Sequence, residues 1–144
     1  MRCMVVVKAN KDSEAGILPS TELLTNMGKF NEELVKAGVL LAAEGLQPSS
    51  KGKRITFTAA KPTITDGPFA ETKELVAGFW LWQVRSMEEA VEWLKRSPFG
   101  PGAEVEIRQI FEMEDFAPML SEEEIQYKVK RRAELPNQTA NKAS

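Results

Sequence analysis

The sequence predicts an α+β fold in which two strand–helix–strand units contribute to one sheet. Strand and helix patterns alternate along the chain in the order β-α-β-hairpin-β-α-β. Cys3 to Lys8 and Val76 to Val84 are apolar on both alternating faces, which is typical of central strands covered on both sides. This order and these two central strands indicate a ferredoxin-like βαββαβ fold with an inserted β-hairpin. Right-handed crossovers then place both helices on one face of the sheet.

Composition sets the class of protein. The chain has 144 residues, of which 42% are hydrophobic and 28% charged, as expected for one domain with a real core and a short appendage. A net charge of −2 argues against a nucleic-acid surface. No apolar run reaches the roughly 20 residues of a membrane helix, so we expect no membrane partner. One cysteine suits a reducing compartment, so we expect a cytoplasmic protein.

The chain contains no histidine. This removes Ser–His and Cys–His nucleophile systems, histidine zinc sites and the usual acid/base near neutral pH. A single cysteine also removes thiolate clusters. We therefore expect no metal site and no cofactor, and any catalysis must use carboxylates, Lys, Arg, Tyr127 or Cys3.

The first half of the chain predicts one helix, one strand and a hairpin after the opening strand. Ser20 is a helix N-cap, and Gly38 stands where the helix C-cap belongs. Val39 to Ala43 is the second strand. Arg54 to Thr58 and Thr63 to Thr65 alternate apolar with polar residues, which predicts the hairpin.

The second half repeats the pattern. Ser86 and Glu89 form a capping box before a helix that ends near Pro98, and Ala103 to Met113 is the last strand. A ferredoxin-like domain over residues 1–113 and a C-terminal extension over residues 114–144 follow from this assignment. The extension holds a short helix opened by Ser121 and a polar tail, Pro136 to Ser144, that we expect to be disordered.

Two helices on one face leave the other face of the sheet without a cover. Trp80, Trp82 and their neighbours would then form a large exposed apolar patch, so the hairpin or a partner subunit is expected to cover it. The same aromatic residues could instead stack a planar ligand, although alternating aromatics on a strand more often belong to a core or a subunit interface.

The most distinctive segment is Asp66-Gly67-Pro68-Phe69, called here the Asp66 turn. Its residue types force a chain reversal. Asp66 could face a pocket as a functional carboxylate, with Lys73 and Glu74 nearby. Alternatively, Asp66 could accept a backbone N–H within the turn while Phe69 plugs the core. Both roles stay open at this stage.

Charged residues on one face of the last strand form a second candidate site. Glu104, Glu106 and Arg108 could line a cleft in which Arg108 binds an anion bidentately, and Glu44 could point to the same cleft. Charges on an edge strand also resist aggregation without any ligand. Cys3 lies in a buried strand, where a thiol is expected to be inert.

Several stretches together resemble the bacterial YCII-related proteins of the DGPF type. They are Gly38 to Pro48, the ten residues Thr65 to Glu74, Gly78-Phe79-Trp80 and Glu104 to Arg108, in matching order over roughly residues 1–113. The resemblance implies a dimeric α+β barrel, in which two ferredoxin-like sheets pack face to face. Classical members are proposed to use a His–Asp pair, which this chain cannot form.

The resemblance implies no established activity. Members are often encoded beside sigma factors of the extracytoplasmic-function type, which implies a regulatory or stress-linked setting. Our first hypothesis is a cytoplasmic homodimer that binds an unidentified small molecule near the Asp66 turn. The candidate binding residues are Glu44, Gly67, Pro68, Phe69, Lys73 and Arg108.

Two other functions compete with this hypothesis. One is an enzyme of the isomerase, lyase or monooxygenase kind, with Asp66 as general base and Arg108 or Lys73 stabilising an oxyanion. The other is an interaction module that binds a sigma factor through the C-terminal helix.

Overall fold

The computed structural model describes residues 1–136, apart from the side chain of Lys73. Its strands are β1 (Arg2–Lys8), β2 (Leu40–Gly45), β3 (Lys53–Thr56), β4 (Thr63–Asp66), β5 (Val76–Gln83) and β6 (Val105–Gln109). Its α-helices are α1 (Lys11–Glu14), α2 (Thr21–Lys36), α3 (Met87–Lys95), α4 (Met113–Phe116) and α5 (Glu122–Ala133). Of the predicted disordered tail only Pro136 is described, and residues 137–144 lie outside this range.

Four strands form an antiparallel sheet in the order β2-β5-β1-β6. β1 and β5 are therefore central, as their double apolar faces predict. β3 and β4 pair only with each other and form a separate two-stranded sheet. In the chain this hairpin follows β2 and precedes β5. The ferredoxin-like order and the inserted hairpin are both confirmed.

The ends of α2 show why this segment is helical. The Ser20 hydroxyl accepts a hydrogen bond from the Leu23 backbone N–H at 3.1 Å, which satisfies a donor that the first helical turn leaves without a partner. Gly38 has a φ of +73°, a left-handed conformation that glycine adopts without steric cost. Between these ends, Phe30 and Leu34 are buried against the sheet.

The predicted capping box of α3 forms only in part. Ser86 accepts a hydrogen bond from the Glu89 N–H at 3.2 Å, as expected. The Glu89 carboxylate, however, accepts from the backbone N–H of Arg85 at 2.9 Å and from the Arg85 side chain, not from Ser86. These hydrogen bonds hold the pKa of Glu89 below its usual value. The cap thus extends one residue further out because Arg85 offers both a backbone and a side-chain donor.

The last strand is shorter than the predicted Ala103 to Met113. β6 pairs with β1 from Val105 to Gln109, and the Ile110 N–H then donates to the Arg2 carbonyl at 2.9 Å. Beyond Ile110 the chain leaves the sheet and enters α4.

The core lies between the sheet and helices α2 and α3, and it is rich in aromatic rings. Trp82 is fully buried, Trp80 is almost so, and both contact Phe30 edge to face at 6.4 and 6.0 Å. The Trp80 indole N–H donates to the Asn31 side chain at 2.9 Å. The expectation that these tryptophans lie on the uncovered face is therefore wrong. Even-numbered positions of β5 face the helices, so Phe79 and Leu81 face the other way.

The chain beyond β6 forms α4 and α5, and neither contains a fully buried residue. The capping box predicted at Ser121 is present, since Ser121 and Glu124 exchange backbone-to-side-chain hydrogen bonds. Among residues 1–136, no helix combines the length and the apolar character that crossing a membrane would need.

The aromatic core leads to a stability prediction. Trp82→Ala should lower the free energy of unfolding by about 3–5 kcal/mol, because it leaves a cavity among fully packed neighbours. Trp93→Ala is the matched control, since Trp93 is only half-buried and lies at the margin of the core. Urea unfolding followed by circular dichroism measures both, and equal losses would contradict the assigned core.

Candidate functional site

The face of the sheet opposite to the helices, called here the open face, has an apolar centre. Met4 pairs with Leu81 and Val6 pairs with Phe79 across the two central strands, and all four side chains share this face. Val6 is 9% exposed, and the other three are half-buried. These side chains form an apolar surface across the two central strands.

Charged residues of β6 flank this apolar centre. Glu106 is opposite Val6 and Arg108 is opposite Met4. Lys8 approaches Glu106, with 4.0 Å between the ammonium nitrogen and a carboxylate oxygen. Among the described residues Arg108 forms no ion pair within 4.0 Å, and its side chain is exposed. β6 is also an edge strand. Its charges could therefore line a ligand site or protect the edge from aggregation, as the sequence analysis proposed.

Glu44 and Arg108 share the open face but do not converge. Glu44 is on β2 beside Phe79, whereas Arg108 is on β6. β2 and β6 are the two outer strands of the sheet, and three inter-strand spacings separate them, about 14 Å in all. A ligand that contacts both residues must therefore span the whole apolar centre.

The Asp66 turn packs on the loop after β2. The Gly67 N–H donates to the Gly52 carbonyl at 3.0 Å, and the Phe69 N–H donates to the Ser49 hydroxyl at 3.0 Å. A side chain at Gly67 would overlap with the Ser49 carbonyl oxygen, so only glycine fits. Ser49 in turn donates its backbone N–H to the Glu14 carboxylate at 3.1 Å and its hydroxyl to the other oxygen.

Ser49 and Glu14 are the contact residues that sequence reasoning missed. They lie 35 positions apart in the chain. Local sequence patterns do not indicate a hydrogen bond between residues so far apart in the chain. The Asn10–Ser13 capping box that starts α1, and so positions Glu14, is the nearest usable clue.

Phe69 does not plug the main core. It is half-buried, and the Arg54 guanidinium lies over its ring at 3.9 Å from the centroid, a cation–π contact. Arg54 also approaches the Glu71 carboxylate at 3.5 Å. The ring thus connects the turn to β3 of the hairpin. Pro68 is exposed, and its peptide bond with Gly67 is cis.

Asp66 ends β4 directly opposite Lys53 on β3, and the two side chains form an ion pair. Its carboxylate accepts this ammonium group rather than a backbone N–H, so the predicted turn cap is not formed. The side chain is 74% exposed, and neither of the two described cavities is lined by it. Its assignment as a general base stays a prediction. The side chain of Lys73, the other predicted neighbour, lies outside the description.

The two described cavities lie elsewhere. One, of about 600 Å³, is a cleft between α3 and β6. The other, of about 350 Å³, separates α4 from α5. Residues 1–136 contain no group of three or more His, Cys, Asp or Glu side chains placed to hold a metal ion. Burial raises the pKa of the Cys3 thiol, which agrees with an inert cysteine.

Comparison with known proteins assigns the family. The model of the YCII-related domain matches residues 1–114. This chain belongs to the YCII-related family. The match spans the whole sheet, α1 to α3 and the Asp66 turn, and it ends where α4 begins. Because the chain has no histidine, a His–Asp pair cannot operate in this YCII-related domain.

Two further similarities place the YCII-related chain among known proteins. It is 30% identical over 73 residues to the uncharacterised protein R00369 of Rhizobium meliloti (strain 1021), a match that covers 51% of this chain and 59% of that protein. A solved structure, the 5-chloro-2-hydroxyhydroquinone dehydrochlorinase of Burkholderia phenoliruptrix AC1100 in complex with 2,5-dihydroxybenzoquinone, is 15% identical, with a TM-score of 0.42. The similarity covers 79% of this chain and 98% of that one. An identity of 15% transfers no site residue to the present chain.

The packing at Gly67 leads to a second prediction. Gly67→Ala should destabilise the protein by about 1–3 kcal/mol or more, because the new methyl group meets a backbone oxygen that the Glu14–Ser49 contacts hold in place. Gly45→Ala is the matched control, since no atom lies within 4 Å of the added carbon. Thermal unfolding of both variants provides the measurement. A neutral Gly67→Ala would show that the turn does not pack on Ser49.

Proposed function

We propose that the protein is a homodimer in which two open faces pack together and enclose a binding site for a small anionic molecule with an apolar part. The observation that carries this proposal is Arg108, an arginine without an ion pair among the described residues, beside the apolar centre of the open face. The proposal keeps small-molecule binding as the function. It moves the site from the Asp66 turn to the sheet.

The half-buried side chains of the open face support a second copy of the chain as its cover. Phe79, Leu81 and Met4 keep part of their apolar surface in water, although they lie on the central strands of the sheet. Removing that surface from water contributes roughly 25 cal/mol per Å². The same patch on a second copy is self-complementary, as a two-fold interface requires. A stable interface of this kind buries at least about 1,200 Å² in total.

The charges around Arg108 support an anion as the ligand. The nearest carboxylate on the same strand face, Glu106, is already approached by Lys8. The Arg108 guanidinium presents a planar set of donors that matches a carboxylate or phosphate. Enclosure between two apolar faces would lower the local dielectric and strengthen the attraction to a bound anion.

In this proposal the Asp66 turn supports the site from a distance. It fixes the loop between β2 and β5 through Ser49, and those two strands carry Glu44 and Phe79. Gly67, Pro68 and Phe69 therefore act on the binding site through the backbone rather than by touching the ligand. The stress-linked setting and the sigma-factor partner stay predictions of the family resemblance.

The dimer is tested by Leu81→Glu. A carboxylate placed in the centre of the open face should raise the dimer dissociation constant more than about a hundredfold, because a buried unpaired charge is costly. Sedimentation velocity from nanomolar to high micromolar concentration measures the change, and circular dichroism verifies that the fold is retained.

Leu18→Glu is the control for this experiment, since Leu18 is 82% exposed in the loop before α2 and should tolerate the charge. A wild-type protein that sediments as a monomer at high micromolar concentration would refute the dimer. Equal association of wild type and Leu81→Glu would place the interface on another surface.

Anion binding is tested with benzoate and phenylacetate as probes, by isothermal titration calorimetry. Arg108→Ala should weaken binding at least about tenfold, because a charge-assisted hydrogen bond is worth about 1.5–3 kcal/mol. Arg85→Ala is the matched control, an exposed arginine that precedes α3.

Two results would overturn this binding site. The first is wild-type protein that binds neither probe, with no small molecule retained in native mass spectrometry of the freshly purified protein. The second is loss of probe binding in Asp66→Asn with full binding in Arg108→Ala, which would return the site to the Asp66 turn.

A further inference from the structure

The hairpin formed by β3 and β4 carries an apolar face that nothing in the described chain covers. Ile55 and Ile64 are opposite each other on this face, and Phe57 follows on the same side. Their exposed fractions are 55%, 67% and 81%. A two-stranded hairpin is only marginally stable alone in water, so this face has reason to be covered.

The hairpin together with the end of the turn before it, residues 51–66, is also basic. Residues 51–66 contain four cationic side chains and one carboxylate, Asp66. Lys53 pairs with Asp66 and Arg54 with Glu71, whereas Lys51 and Lys61 form no ion pair within 4.0 Å among the described residues. A segment that covers the hairpin should therefore be acidic and should carry apolar side chains.

The connection between β6 and α5 has both properties. Residues 111–124 contain six carboxylates and no Lys, Arg or His. Phe111 and Phe116 contact each other with 5.0 Å between ring centroids, yet they are 69% and 42% exposed, and Met119 is 84% exposed. Glu112 pairs with Arg2 at 2.8 Å, which lowers the pKa of Glu112 and holds the start of this segment at the Arg2 end of the sheet.

The hairpin and this acidic segment lie at opposite ends of the sheet. The hairpin connects Gly45 to Val76, at the end where β1 finishes with Lys8. The acidic segment leaves β6 at the other end, next to Arg2. β1 alone separates the two ends by about 20 Å. No hydrogen bond or ion pair joins the two segments among residues 1–136.

We propose that the hairpin (residues 51–66) of one copy clasps the acidic segment (residues 111–124) of a second copy. Suppose that the β1 strands of two face-to-face sheets run in opposite directions. The end of one sheet that carries the hairpin then lies over the end of the other sheet that carries the acidic segment. Two identical contacts then form about one two-fold axis. Ile55, Phe57 and Ile64 meet Phe111, Phe116 and Met119, and Lys51 and Lys61 meet carboxylates. This contact rests on the proposed homodimer and extends its interface beyond the sheets.

Disulfide cross-linking tests the clasp directly. The variant Phe57→Cys/Met119→Cys should form an intermolecular disulfide under mild oxidation and migrate as a covalent dimer on a non-reducing gel. The native Cys3 is buried and should not compete. Phe57→Cys/Leu18→Cys, with two similarly exposed sites, should not cross-link. A mixture of the two single variants, Phe57→Cys and Met119→Cys, should give the same covalent dimer.

A charge exchange gives a second readout with less change to the apolar contact. Lys51→Glu/Lys61→Glu should raise the dimer dissociation constant at least about tenfold at low salt. The dissociation constant of this variant should also change less with salt concentration than that of wild type. Combining this variant with Glu122→Lys/Glu123→Lys should restore much of the lost affinity.

The outcomes separate the clasp from the homodimer. A wild-type dimer that shows neither the cross-link nor the rescue would overturn the clasp and leave the dimer standing. A disulfide that closes within one chain would also overturn it, because the two segments would then meet in the monomer. A wild-type protein that sediments as a monomer would refute both the homodimer and the clasp.

Discussion

Packing of Trp80 and Trp82 against the helices is the interaction on which the rest of the structure depends. Both rings are buried and contact Phe30 of α2, so every second side chain of β5 points towards the helices. Because the side chains of a strand alternate, the same packing places Phe79 and Leu81 on the open face. The apolar centre, its flanking charges and the proposed dimer interface all follow from this one choice of register.

The contacts of the Asp66 turn in this structure are packing and pairing contacts with the hairpin and with the loop after β2. Gly67 is required by its closeness to Ser49, Phe69 holds Arg54, and Asp66 pairs with Lys53 across the hairpin. None of these contacts places a reactive group in a cleft.

Charge is distributed unevenly in a chain whose net charge is only −2. The hairpin is basic, the segment after β6 is acidic, and the sheet holds them at opposite ends. Within one chain Lys51 and Lys61 form no ion pair within 4.0 Å among the described residues, and no ion pair joins the two segments there. In a two-fold assembly this arrangement gives each copy one contact of each kind, which makes the pairing self-complementary.

The sequence by itself determined the order of the six strands and of the helices α2, α3 and α5, the two central strands, the hairpin and the helix caps at Ser20 and Ser121. These features depend on local periodicity and on hydrogen bonds that span three or four residues, so a short window contains them. Only the tertiary structure decided which face Trp82 occupies, that Glu14 holds Ser49, and that Glu44 and Arg108 lie on opposite edges. Those facts depend on how segments far apart in the chain pack together. An alternating strand looks the same whichever face it buries.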